Sequence, residues 1–128
     1  MNDAPPGITR IGQVALTVRN LPDATAFYRD TLGLPLLFEV PNMAFFDAGN
    51  LRLMLGRPES DDAPVANSIL YYQVPDIQAA HALLVEHGVS FIGAPHRVAK
   101  MPDHDLWMAF LRDPEGNTLG LMCEVRAG

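Results

Sequence analysis

The chain has a single cysteine, Cys123, which excludes an internal disulfide and a thiolate zinc cage. Its strand-like setting reads as a buried, inert thiol. No apolar run approaches the roughly 20 residues of a membrane span. Basic residues are few: 9 Lys and Arg against 15 Asp and Glu give a net charge of −6. They form no cluster, so nucleic acid and an anionic membrane are poor partners. Met1 to Gly7 lacks a basic patch followed by an apolar core, and reads as a short arm rather than a signal peptide. A cytoplasmic location follows by default. Also missing are a Gly-x-Ser-x-Gly elbow, a Gly-x-Gly-x-x-Gly turn and a phosphate loop. No nucleophile constellation is visible.

What is present is apolar residue in quantity. At 48% apolar and 19% charged, 128 residues suit one compact domain with a real core. The chain also repeats itself. Val14 to Leu21 and Leu70 to Ile77 are each a strand-like run, a polar turn and an apolar residue opening a helix. Helices are expected near 23–32 and 76–87. Ala24, Phe27, Tyr28 and Leu32 share one face of the first, and Ile77, Ala80, Leu83 and Leu84 one face of the second. Each stops at a glycine, Gly33 or Gly88. Three strands should follow each helix: 35–40, 43–47 and 51–56, then 90–92, 106–112 and 118–124. The last two strands of each set are joined by the Ala48-Gly49-Asn50 and Asp113-Pro114-Glu115-Gly116-Asn117 turns. Arg57 to Asn67 has the polar, Pro-containing composition of a linker. The result is one domain over 8–125, with module one at about 8–58, a linker at 59–67 and module two at about 68–125.

The opening strand Ile11 to Val18, the segment Ala26-Phe-Tyr-Arg-Asp-Thr-Leu-Gly-Leu34 and the turn Asp113-Pro-Glu-Gly-Asn117 occur in the order and spacing of a known family. In this the chain resembles the vicinal oxygen chelate superfamily: glyoxalase I, extradiol dioxygenases, methylmalonyl-CoA epimerase, and the fosfomycin and bleomycin resistance proteins. The resemblance implies an α+β, glyoxalase-like fold: two βαβββ modules forming a curved mixed sheet around a concave cavity. It also implies a homodimer, because members with one module pair commonly dimerise and often complete the concave site with the partner. It does not fix function, because the scaffold hosts lyases, epimerases, dioxygenases, transferases and plain binders.

Family ligands for a divalent metal map to Gln13, Leu53, Ile69 and Gly120. A metal-binding member would usually carry His or Gln, Glu, His and Glu there. Only Gln13 offers a donor, whereas a catalytic zinc site normally takes three from protein. No metal and no other cofactor is expected. Glu124 shares the parity of Gly120 but lies four residues on, about 13 Å along a strand, and Glu59 lies past its strand's end.

Strand alternation then suggests what lines the cavity. Gln13, Phe45, Leu53, Ile69, Tyr71, Met108, Phe110 and Gly120 form an apolar pocket with few polar handles, the profile of a small-molecule site. Leu51, Leu55 and Met43 are placed on the same side, and Gly120 opens space where a Glu would have stood. The alternative is that side chains simply fill that space. The segment 96–107 has no counterpart in module one and is expected as a loop at the pocket's mouth. It offers His104, His96 and Lys100 for proton transfer or anion binding, and Trp107 to cover an aromatic ligand. Read as a bland segment, it is a solvated loop anchored by a core Trp.

Three functions are consistent with this reading. One is a metal-free binder of a small, partly apolar or aromatic molecule. Another is a metal-independent lyase, isomerase or epimerase using His104, His96 or Lys100. The third, a metal-dependent lactoylglutathione lyase or dioxygenase, is disfavoured by the ligand positions.

Overall fold

A computed structural model describes residues 5–60, 62–63 and 65–126. Met1 to Ala4 of the expected arm, and Asp61 and Pro64 of the linker, lie outside the described residues. The first module runs β1 (Gln13–Thr17), α1 (Leu21–Ala26) continuing as a π-helical turn (Phe27–Thr31), β2 (Leu36–Val40), β3 (Met43–Asp47) and β4 (Arg52–Gly56). The second runs β5 (Leu70–Gln73), α2 (Ile77–Glu86), β6 (His96–Lys100), β7 (His104–Arg112) and β8 (Thr118–Arg126). Strand orders are β1-β4-β3-β2 and β5-β8-β7-β6, the same topology twice. The internal repeat and the α+β class are thus borne out. Among the described residues no strand pairing joins the two ladders, so the expected curved sheet is built as two four-stranded sheets.

Local signals explain the helices. The Asn20 side chain accepts from Asp23 N at 3.1 Å, and Pro22 sits in the first turn of α1. Asp76 caps α2 in the same way, through Ala79 N. Gly33 and Gly88 take positive φ at the helix ends, where a side chain would be strained. The π turn, closed by Leu32 N to Phe27 O at 2.9 Å, sets Tyr28 into the core.

Each sheet buries one face beneath its helix and leaves the other open. Val14, Leu16, Ala44, Phe46, Leu53 and Leu55 form the helix face of the first sheet. Ala109, Leu111, Leu119, Leu121 and Cys123 form that of the second, under Ile77 and Leu84. Both sets belong to one core. Cys123 is the buried thiol expected, with its Sγ donating to Pro75 O.

The two modules are latched by the Asp113–Asn117 turn. Buried Asp113 accepts from Tyr28 OH, Glu115 N, Asn117 N and Asn117 Nδ2, each at 2.9 Å. Glu115 accepts from the backbone N–H groups of Arg19 and Asn20. Asn67 pairs with both the N–H and the C=O of Thr17 and donates to Asn117 Oδ1. Sequence reasoning saw here only a turn and a linker. In fact the turn binds the end of β1 and the start of α1 in the other module.

Two expectations need correction. Residues 90–92 make only one bridge, Phe91 to Leu111, not a strand. The expected loop at 96–107 is instead β6, a short connection and the start of β7. His96 pairs with Met108 and Lys100 with Asp105, with a bulge between Arg97 and Ala99. Charge and a bulge are what an edge strand carries to discourage further pairing. That camouflage made it read as a loop. This segment therefore does have a module-one counterpart, β2.

Candidate functional site

On the open face of the first sheet, β1 and β4 run parallel with Gln13 beside Arg52 and Ala15 beside Met54. Across β3, Met43, Phe45 and Asp47 pair with Gly56, Met54 and Arg52. Gln13, Phe45 and Met43 are therefore on the face expected, but Leu53, Leu55 and Leu51 are not. Leu53 is 1% exposed and belongs to the core. The alternation in β4 misled because its leucines are the core stripe. The intervening Arg52 and Met54 are what the open face presents, and sequence reasoning missed both.

Gln13 and Arg52 form one unit. Arg52 Nε donates to Gln13 Oε1 at 2.7 Å. The guanidinium carbon lies 5.1 Å from the Phe45 ring centre and 6.0 Å from that of Phe38. Phe38 and Phe45 stack at 4.4 Å. The polar pair is thus held over an aromatic floor.

On the open face of the second sheet, Tyr71 pairs with Gly120, Gln73 with Met122, Phe110 with Gly120 and Met108 with Met122. Ile69, Tyr71, Met108, Phe110 and Gly120 therefore share the face expected of them. The space above Gly120 is nevertheless taken. A Cβ there would lie 2.5 Å from Tyr71 Cδ2. The Tyr71 ring meets Phe110 edge-on at 5.8 Å. Trp107 pairs with Cys123 and turns to the helix face, packing against the core rather than over a ligand.

Among the described residues no strand pairing or ring contact joins these two sets. A cleft of about 570 Å³ lies between the modules, lined among others by Val14, Leu34, Leu70, Tyr72 and Leu83. Of the residues expected on the cavity side it takes Leu51, Leu53 and Tyr71. It is a gap at the seam of the core. Burial of Tyr72 raises its hydroxyl pKa, with the nearby Asp113 adding to the effect.

The three candidate proton-transfer residues separate. His96 and His104 face the open side of the second sheet, whereas Lys100, opposite Asp105, turns the other way. His104 Nδ1 lies 2.8 Å from Asp103 Oδ1 and its Nε2 3.7 Å from Glu124 Oε1. A carboxylate only accepts, so Nδ1 carries the proton toward Asp103, and Nε2 faces a second carboxylate at longer range. Arg126 bridges both acids, at 2.8 Å to Asp103 and 3.2 Å to Glu124. Its hydrogen bond, helped by that from His104, lowers the Asp103 pKa from 3.8 to about 2. The tether is therefore complete above the ordinary value and is lost as pH falls through the depressed one. A carboxyl titration by NMR should place the Asp103 midpoint near 2, and Arg126→Ala should move it back toward the ordinary value. A midpoint indifferent to Arg126 would remove this tether.

A divalent ion does not fit the residues present. Gln13 Oε1 is engaged by a guanidinium, Ile69 is aliphatic, and Gly120 lies under a phenol ring. Correcting the register of β4 brings Arg52 and Met54 beside Gln13, neither of them an anionic ligand. Among the described residues no three His, Cys, Asp or Glu side chains converge as a metal site.

Comparison with known proteins agrees with this architecture. A catechol-2,3-dioxygenase of Bacillus subtilis is 26% identical over 126 residues, covering 91% of this chain and 42% of the relative. The chain spans less than half the length of the curated relatives it matches. Lactoylglutathione lyase from Agrobacterium tumefaciens superposes with a TM-score of 0.71 at 23% identity, covering 94% of this chain and 96% of that one. TnmS3, an antibiotic binding protein from a Streptomyces species, superposes with a TM-score of 0.72 at 24% identity, covering 92% and 98%. At such identities these two likenesses concern the fold. The family model matches residues 10–121, nearly all of the described chain, and the protein belongs to the glyoxalase/bleomycin resistance protein/dioxygenase superfamily.

Proposed function

We propose that this chain binds a small, partly apolar or aromatic molecule on the open faces of its sheets, without a metal. The observation that carries the reading is the filling of the metal positions. Gln13 is paired with Arg52, and Gly120 is covered by Tyr71, amid exposed apolar side chains. A structural neighbour that is an antibiotic binding protein supports such a use of the fold. Phe38, Val40, Met43, Ile69 and Tyr71 are all substantially exposed, Phe38 at 45% and Tyr71 at 46%. Exposed apolar side chains gathered on one face of each sheet mark interaction surfaces. That exposure supports a homodimer in which a second copy covers these faces and encloses the ligand site. Sedimentation at micromolar concentration should give a dimer, and a monomer alone would count against it. A thermal-shift screen of aromatic small molecules should find ligands that Phe45→Ala weakens. Hits unaffected by that change would place binding elsewhere.

One observation favours a second reading. His104 is only 15% exposed, with a carboxylate facing each ring nitrogen. That geometry suits metal-independent lyase, isomerase or epimerase chemistry. Its distance from the rings of its own sheet argues against it: His104 lies six residues from Phe110, about 20 Å along the strand. His104→Ala should leave ligand binding intact. Loss of turnover, without loss of binding, would select this reading.

A further inference from the structure

We propose that Arg52 is a carboxylate-binding group, and that the molecule bound on the first sheet is a planar organic carboxylate. The inference rests on the preceding reading of the open face and names the ligand's chemistry. Arg29, Arg97 and Arg126 each lie within 4 Å of a carboxylate. Arg52 does not, although Asp47 sits directly opposite on β3. The Asp47 carboxylate instead accepts from Gly49 N at 3.0 Å. Arg52 uses only Nε, on Gln13. Among the described residues its two terminal nitrogens have no acceptor. Two rings hold the guanidinium plane from below.

This is a charged group tethered at Nε above two rings, with its terminal donors unspent. A guanidinium presents parallel N–H bonds that match the two oxygens of a carboxylate. The neighbouring surface suits the rest of such a molecule: Phe38 and Met43 are exposed apolar side chains beside Phe45 and Met54. A flat hydrocarbon body can lie along these while its carboxylate meets Arg52. The protein as a whole carries a charge of −6, so this anion site is local and owes nothing to net attraction. Gln13, at a position where the family places a metal ligand, becomes a positioning residue for Arg52.

The test uses the full chain with 2-naphthoate and its neutral isostere 2-naphthamide, by calorimetry and by amide chemical shifts on β1, β3 and β4. The acid should bind at least about tenfold more tightly than the amide. Arg52→Gln should bring the acid down to the affinity of the amide. Arg52→Lys, which keeps the charge and loses the fork, should fall between the two. Gln13→Ala should weaken the acid and spare the amide. Equal binding of acid and amide, unchanged by Arg52→Gln, would overturn the carboxylate assignment while leaving a small-molecule site on this face. An acid preference that survives Arg52→Gln would place the anion on another group and overturn it equally. No shift from either probe at about millimolar concentration would overturn both this inference and the reading beneath it.

Discussion

Replacing Asp113 with alanine should cost about 3–5 kcal/mol of stability, a large share of what a domain of this size possesses. The carboxylate is buried and accepts four hydrogen bonds, from Tyr28, Glu115, and the backbone and side chain of Asn117. Its removal strands the Tyr28 hydroxyl away from water and frees three part-buried donors, and an unsatisfied buried donor costs more than the bond had contributed. The Tyr28 hydroxyl, buried beside this carboxylate, has its pKa raised by desolvation first and by the Asp113 charge next. It therefore remains a donor across the whole accessible pH range. Tyr28→Phe removes one bond and leaves the carboxylate three, so its cost should be smaller, about 1.5–3 kcal/mol. Urea denaturation with an unchanged slope would report both values. An Asp113→Ala variant as stable as the parent would mean that the turn does not latch the modules.

Gly120→Ala should cost about 1–3 kcal/mol, because the added methyl group enters space held by the Tyr71 ring. The decisive form is a double-mutant cycle. In a Tyr71→Ala background the ring is gone, and alanine in a strand is favoured over glycine by roughly 0.5–1 kcal/mol. The same substitution should then be neutral or stabilising. An equal cost in both backgrounds would show that Tyr71 does not lie over this glycine. The expected empty space above Gly120 was wrong for a physical reason. A vacancy made by a missing side chain is filled by the nearest mobile ring unless a ligand holds it open.

Much of the fold could be read from the residues. The glycine stops at Gly33 and Gly88 and the repeated strand–turn–helix run gave both helices and the module plan, whereas the caps at Asn20 and Asp76 came only from the structure. The shared face of Met108, Phe110 and Gly120 followed from strand alternation. Alternation failed in β4, because an apolar stripe does not say which of two apolar surroundings it faces. Leu53 and Leu55 were core, and the polar partner of Gln13 was Arg52, the neighbour one residue away. The edge strand β6 was hidden by its charges. Asp103, Glu124 and Arg126 could not be joined to His104 without knowing the β7–β8 register, which sets His104 opposite Arg126. That no strand pairing or ring contact among the described residues would join the two open faces was beyond local sequence, since it depends on how the modules meet.

The central proposal is that a guanidinium held by Gln13 and a ring laid over Gly120 stand where metal ligands would be, so that this member of the superfamily binds its ligand without a metal. Elemental analysis of the purified protein after dialysis tests it most directly. The account predicts zinc, nickel, iron and manganese all far below one atom per chain, before and after incubation with each ion. A stoichiometric ion that survives dialysis, and that is lost on Gln13→Ala, would contradict it.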